Sequence, residues 1–95
     1  MASVRLLPPA LEDLVRLVEF LRESDPAASK ETAALVFKGL RVLADHPLIG
    51  RPIGVNRREL VIYRGPAGYL AQYSYNLSSE EVLVLAIRHQ READI

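Results

Sequence analysis

Apolar residues recur along the chain with two different periods, and the change of period divides it into parts. Between residues 10 and 22, Leu11, Leu14, Val15, Val18 and Leu21 keep the i, i+3, i+4, i+7 spacing of one helical face, while Glu12, Asp13, Arg16 and Glu19 fall elsewhere. A second helix is predicted to start at Pro26, where Asp25 can cap free N–H groups and the proline suits the first helical position. Its stripe is Ala33, Val36, Phe37, Leu40 and Leu43; Leu35 and Val42 widen it, so this helix has more apolar surface than one sheet face covers. Gly39 costs about 1 kcal/mol relative to alanine in a helix interior; a tolerated glycine is the simpler reading, and close packing the alternative. Asp45-His46-Pro47 closes the helix, because the residue before proline is driven out of the α region. The short break around Asp25 forces the two helices into an antiparallel hairpin.

Elsewhere the period is two. Ser3-Val4-Arg5-Leu6-Leu7, stopped by Pro8-Pro9, predicts a first strand at a sheet edge. Residues 46–56, HPLIGRPIGVN, are expected to form a loop because of their prolines and glycines. Strands follow at 59–63, 69–75 and 81–88, joined by turns at 64–68 and 76–79, which makes an antiparallel meander. Alternation sets Leu60 and Ile62 against Val61 and Tyr63, and sets Tyr69, Ala71, Tyr73 and Tyr75 against Leu70, Gln72 and Ser74. In the last strand Leu83, Leu85, Ile87 and His89 oppose Val82, Val84, Ala86 and Arg88; both faces are apolar until its end, which places it inside the sheet. The order β-α-α-β-β-β predicts an α+β fold, a helical hairpin packed on a small, mainly antiparallel sheet, with one domain spanning residues 1–95.

Composition narrows the chemistry. The absence of cysteine removes disulfides and thiolate metal sites, and no apolar run reaches the roughly 18–20 residues of a membrane span, so a cytoplasmic location is expected. His46 and His89 are too few for a metal site, and no cofactor is expected. Net charge is zero, which gives the molecule no long-range attraction to nucleic acid. Locally, however, Arg51, Arg57, Arg58 and Arg64 face only Glu59 within residues 51–64. Arginine favours planar, bidentate contacts to carboxylate or phosphate. The same arginines can equally form a solvated loop paired to Glu59, Glu81 or Glu92.

Leu43-x-x-His46-Pro47-x-x-Gly50-Arg51 after the second helix, Arg58 leading into a strand, and the closing Ile87-Arg88-His89-x-Arg91-Glu92 together resemble the ParE branch of the RelE/ParE toxin superfamily, as does Ala10-Leu11-Glu12-Asp13-Leu14 in the first helix. The resemblance implies a type II toxin that blocks DNA gyrase without a catalytic group. It further implies a ParD-like antitoxin, a ribbon-helix-helix protein with a disordered C-terminal tail, and contact with DNA only through antitoxin or gyrase. Its alternatives are a ribosome-dependent mRNA endonuclease of the RelE kind and a non-toxic antitoxin-binding module. The nuclease chemistry needs a proton carrier beside phosphate-holding cations, for which His89 or a tyrosine, and Arg58, Arg64, Arg88 and Arg91, are the candidates. Against it, no lysine follows Lys38 and no tyrosine follows Tyr75. The expected target contacts are Arg51, Arg57, Arg58, Arg88 and Arg91. The expected antitoxin contacts are Leu35, Val42, Leu14 and Val18, beside an open sheet edge that can take an added strand.

Overall fold

The computed structural model describes residues 1–64 and 67–90, with Tyr63, Arg64 and Ala67 described in backbone alone. Strand β1 (Ser3–Leu6) leads into helix α1 (Pro8–Ser24), helix α2 (Pro26–Leu40) and a single helical turn, α3 (Val42–Asp45). Strands β2 (Arg51–Gly54), β3 (Arg57–Arg64), β4 (Ala67–Asn76) and β5 (Glu81–His89) follow. They form one sheet in the order β1-β5-β4-β3-β2. All neighbours are antiparallel except β1 and β5, which run parallel. The α+β architecture is therefore as expected, with β1 at an edge and β5 inside the sheet.

Local chemistry sets the helix ends. Leu7 offers no side-chain cap to α1, and its carbonyl instead accepts from Ala10 and Leu11 N–H at 2.9 and 3.1 Å. Asp25 caps α2 through Oδ1, which accepts from Ala28 N–H at 3.0 Å. The second helix does not run unbroken to Asp45 as the sequence predicts. At Arg41 the ladder tightens, with Ala44 N–H donating to Arg41 C=O at 3.0 Å, an i+3 bond that separates α2 from α3.

Two other expectations are corrected. Residues 51–54, assigned to a loop, form an edge strand on β3, with Arg51 opposite Glu59 and Pro52 opposite Arg58. Pro52 lacks an N–H, which an edge tolerates, and a register shift before Gly54 ends the pairing. The core face of α1 is Ala10, Leu14 and Leu17, whereas Leu11 and Val15 are 46% and 60% exposed. Both stripes fit a helical period; the position of α1 over β5, set by the Pro8-Pro9 entry, selects the one that includes Leu17.

The helices cover one face of the sheet. Leu14, Leu17, Val36, Leu40 and Leu43 pack against Ile62, Tyr69, Ala71, Tyr73, Val82, Val84 and Ile87. Gly39 lies against β3: a Cβ there would sit 2.9 Å from Ile62 Cγ2, so the glycine does mark a close approach. Simple alternation fails in β5. Gln72 pairs with Ala86 but Tyr73 pairs with Val84, leaving Leu85 as an extra residue. The bulge reverses the alternation, so Ile87 joins Val82 and Val84 in the core instead of siding with Leu83 and Leu85.

Candidate functional site

Of the arginines proposed as target contacts, the four that are described do not gather in one place. Arg58 pairs with Tyr73 and through it with Val84, whereas Arg88 pairs with Leu70 and through it with Val61. Strand geometry then separates the two arginines by roughly 10 Å along the strands and 10 Å across them. Arg91 lies outside the described residues.

Arg58 is turned to the helix side of β3, at the end of the sheet, and is engaged by its own chain. Its Nη1 donates to Leu48 C=O at 2.9 Å and to Gly50 C=O at 2.8 Å. Beside it stands Tyr73, fully buried, whose hydroxyl donates to Pro47 C=O at 2.8 Å and accepts from Gly50 N–H at 2.9 Å. Burial raises the Tyr73 phenol above its usual range; the Gly50 hydrogen bond and the Arg58 charge oppose that shift. Two side chains on adjacent strands thus clamp the 47–50 loop by its backbone. The fit is close, since a Cβ on Gly50 would lie 2.6 Å from the Tyr73 hydroxyl and 2.9 Å from Glu59 C=O. The clamp leaves Leu48 and Ile49 outside, 59% and 56% exposed.

Arg51, Arg57 and Arg88 fall by alternation on the other face, which none of the described helices covers. Arg51 Nη2 meets Glu59 Oε1 at 2.8 Å, so this pair neutralises itself. Arg57 and Arg88 are exposed and make no ion pair among the described residues. Between them alternation places Val61, Leu70, Gln72, Leu83 and Ala86, a mainly apolar floor in which Val61 is exposed and Leu70 buried, with cations at its rim.

Among the described residues, Tyr69 and His89 are turned away from that floor. Tyr69 is buried and its hydroxyl is 3.2 Å from Thr32 Oγ1 on α2. His89 stands beside it on the helix side, ring centroids 5.5 Å apart and planes at 87°. Among the described residues no group of histidines and carboxylates has the arrangement of a metal site, and no helix is long and apolar enough to cross a membrane.

The proposed antitoxin contacts are likewise divided. Leu14 is only 6% exposed and forms the floor of a groove between α1 and α2 that Val15, Val18 and Ala33 also line. Leu35 packs against the core from α2, and Val42 is exposed on α3. A second groove runs beside the open edge of β1, lined by Val4, Leu6, Phe37, Leu40, Arg41 and Ala44. On that edge Ala2 N–H is already bonded to Ala44 C=O at 2.8 Å. The side chains of Val4 and Leu6, on β1 itself, line the groove beyond that bond. Sequence reasoning missed Arg41 and assigned Phe37 to the core, because periodicity alone does not say where a sheet edge ends beneath a helix. It also missed Tyr73, whose signal was its place among alternating tyrosines opposite a His-Pro-x-x-Gly loop.

Residues 4–94 match the family described as the ParE toxin of the type II toxin-antitoxin system parDE. The chain is 35% identical over 92 residues to toxin RelE3 of Caulobacter vibrioides, covering 97% of this chain and 98% of that protein. With toxin RelE1 of the same organism it shares 34% over 83 residues, or 87% of each chain. Solved structures share the fold at lower identity. The chromosomal ParDE system from P. aeruginosa superposes with a TM-score of 0.77 at 21% identity, over 93% of this chain and 95% of that one. The E. coli RelBE complex gives 0.63 at 18% identity with the same coverage. The clamped loop, the arginine-rimmed sheet face and the helical hairpin are therefore those of a member of the ParE toxin family, a type II toxin of the RelE/ParE superfamily.

Proposed function

We propose that this toxin acts by binding, with DNA gyrase as its target in the cytoplasm, and that a ParD-like antitoxin neutralises it. The observation that carries the binding reading is the disposition of the ring groups. Tyr69, Tyr73 and His89 are turned to the helix side, where Tyr69 and Tyr73 are hydrogen-bonded, while the open sheet face offers an apolar floor rimmed by Arg57 and Arg88. Such a face suits a protein surface with acidic groups around an apolar centre. Metal-independent cleavage of RNA would need a proton carrier on that face, where the described carboxylate, Glu59, is held by Arg51 at 2.8 Å.

The antitoxin fits the opposite side. An amphipathic helix can lie in the groove of Leu14, Val15, Val18 and Ala33, and an extended segment can add to β1 over Val4, Leu6 and Phe37. Of the four residues first proposed, Val18 lines the helix groove with Leu14 beneath it, while Leu35 and Val42 line neither groove.

Expression without antitoxin tests the reading. The expected result is replication arrest with filamentation, inhibition of gyrase supercoiling by the purified chain, and loss of both in the Arg57→Ala, Arg88→Ala double variant with antitoxin affinity retained. Cleaved messenger RNA with gyrase unaffected would overturn it in favour of the endonuclease. Absence of any arrest would leave an antitoxin-binding module.

A further inference from the structure

Asp13 belongs to neither face described above. Its Oδ2 accepts the backbone N–H of Ile87 at 3.0 Å, joining α1 to β5 across 74 positions of sequence. The topology explains why a carboxylate is found there. Strand β1 accompanies β5 only from the Ser3–Glu81 pair to the Leu6–Val84 pair, and Leu7 N–H makes the last bond, to Val84 C=O at 3.0 Å. Pro8 and Pro9 then turn the chain into α1. Beyond Val84, β5 has β4 on one side and no strand on the other.

The bulge at Leu85 makes that vacancy consequential. An extra residue shifts the direction of backbone groups together with the side-chain alternation. Ile87 turns its side chain into the core and its N–H towards the side that β1 has left. A backbone donor in a half-buried position needs a partner. Asp13, one turn into α1, supplies the acceptor that a continuing strand would have provided. Its other oxygen lies 3.6 Å from Arg16, within the same helix.

We propose that Asp13 is a positioning residue for the C-terminal end of β5: it fixes the bulge, and through it the direction of Arg88 on the open face and the seat of His89 against Tyr69. Asp13 acts through the backbone of Ile87 and touches no target itself. The functional half of this inference rests on the reading of Arg88 as a target contact; the structural half does not.

Two variants test it on the whole chain. In Asp13→Ala the Ile87 amide loses its acceptor, and its hydrogen exchange, followed by NMR, is expected to rise roughly ten- to a hundredfold. The ring resonances of the Tyr69–His89 pair should shift at the same time, because the contact loosens. In Asp13→Asn a carbonyl oxygen remains, so exchange should stay nearer wild type and the ring resonances should be restored. The amides of Val82 and Val84, held between β1 and β4, should be unchanged in both. Unchanged exchange at Ile87, or an equal rise at Val82 and Val84 that marks general loosening, overturns the proposal. In cells lacking antitoxin, Asp13→Ala should lose growth arrest and Asp13→Asn should keep it. If wild type arrests growth and Asp13→Ala does so equally, Asp13 positions nothing the target reads, and the inference fails. If wild type itself causes no arrest, it is the proposed function that fails, and the exchange pattern alone decides the role of Asp13.

Discussion

Arg57 and Arg58 are neighbours in sequence and opposites in situation. Arg58 points to the helix side and holds the carbonyls of Leu48 and Gly50, as part of the internal fastening of a loop. Arg57 falls on the open face by alternation with Glu59 and Val61 and stays exposed, like Arg88 two strands away, although it and Arg58 both line the cavity at the end of β3 with Leu48 and Tyr75. A run of arginines in a sequence window is thus not one binding patch. In a sheet, successive side chains go to opposite faces, and a cation near the end of a strand on the covered face will find loop carbonyls. The same alternation gives Arg51 to Glu59 across the β2–β3 pair. The free cations of the candidate interface are therefore fewer than the sequence count implies.

The largest effect is expected at Gly50. In Gly50→Ala the new methyl meets the Tyr73 hydroxyl and the backbone carbonyl of Glu59, neither of which can yield easily. A loss of about 3 kcal/mol in chemical denaturation is expected. An effect below about 1 kcal/mol would mean that the loop is not clamped as described.

Tyr73→Phe comes next. It leaves buried Gly50 N–H and Pro47 C=O without their partner, at a cost of about 1–3 kcal/mol. It should also change the pH dependence. The phenol is raised in the folded state, so its neutral form is favoured by folding. Its contribution is fully present below the unfolded value of about 10 and is lost as pH rises through the higher folded value. Wild type should therefore lose stability above about pH 10 more steeply than Tyr73→Phe, as measured by denaturation at several alkaline pH values.

Arg58→Ala should cost about 1–2 kcal/mol, because two charge-assisted bonds to carbonyls are lost at a partly exposed site. If it also abolished growth arrest while stability stayed unchanged, Arg58 would belong with Arg57 and not with the clamp. The smallest effects are expected on the open face. Arg51→Ala removes an exposed ion pair and should change stability by less than about 1 kcal/mol. Arg57→Ala and Arg88→Ala should each stay within about 0.5 kcal/mol of wild type in thermal unfolding. For these two, loss of growth arrest at unchanged stability would sharpen the contrast with Arg58.

Much of the fold was legible because its determinants are local. The period of 3.6 located both helices, Asp25-Pro26 located the break between them, and the alternating tyrosines located β4 and divided its two faces. The resemblance in the His-Pro-x-x-Gly-Arg loop and the closing Ile87-Arg88-His89 placed the family. What went wrong did so where two answers satisfied the same local rule. Both the Leu11–Val15 stripe and the Ala10–Leu14–Leu17 stripe fit a helix, and Pro52 inside residues 46–56 fits a loop as well as an edge strand.

Period and composition by themselves determined that this chain is an α+β protein with a helical hairpin on a small sheet, since each element needs only its neighbours in sequence to declare itself. Only the tertiary structure decided which apolar stripe is core, that Leu85 is extra and Ile87 faces inward, and which arginines remain free. Those outcomes depend on contacts between different elements, Asp13 with Ile87, Arg58 with Gly50 and Tyr73 with Val84. Their energies come from the register of one element against another, which no local pattern contains.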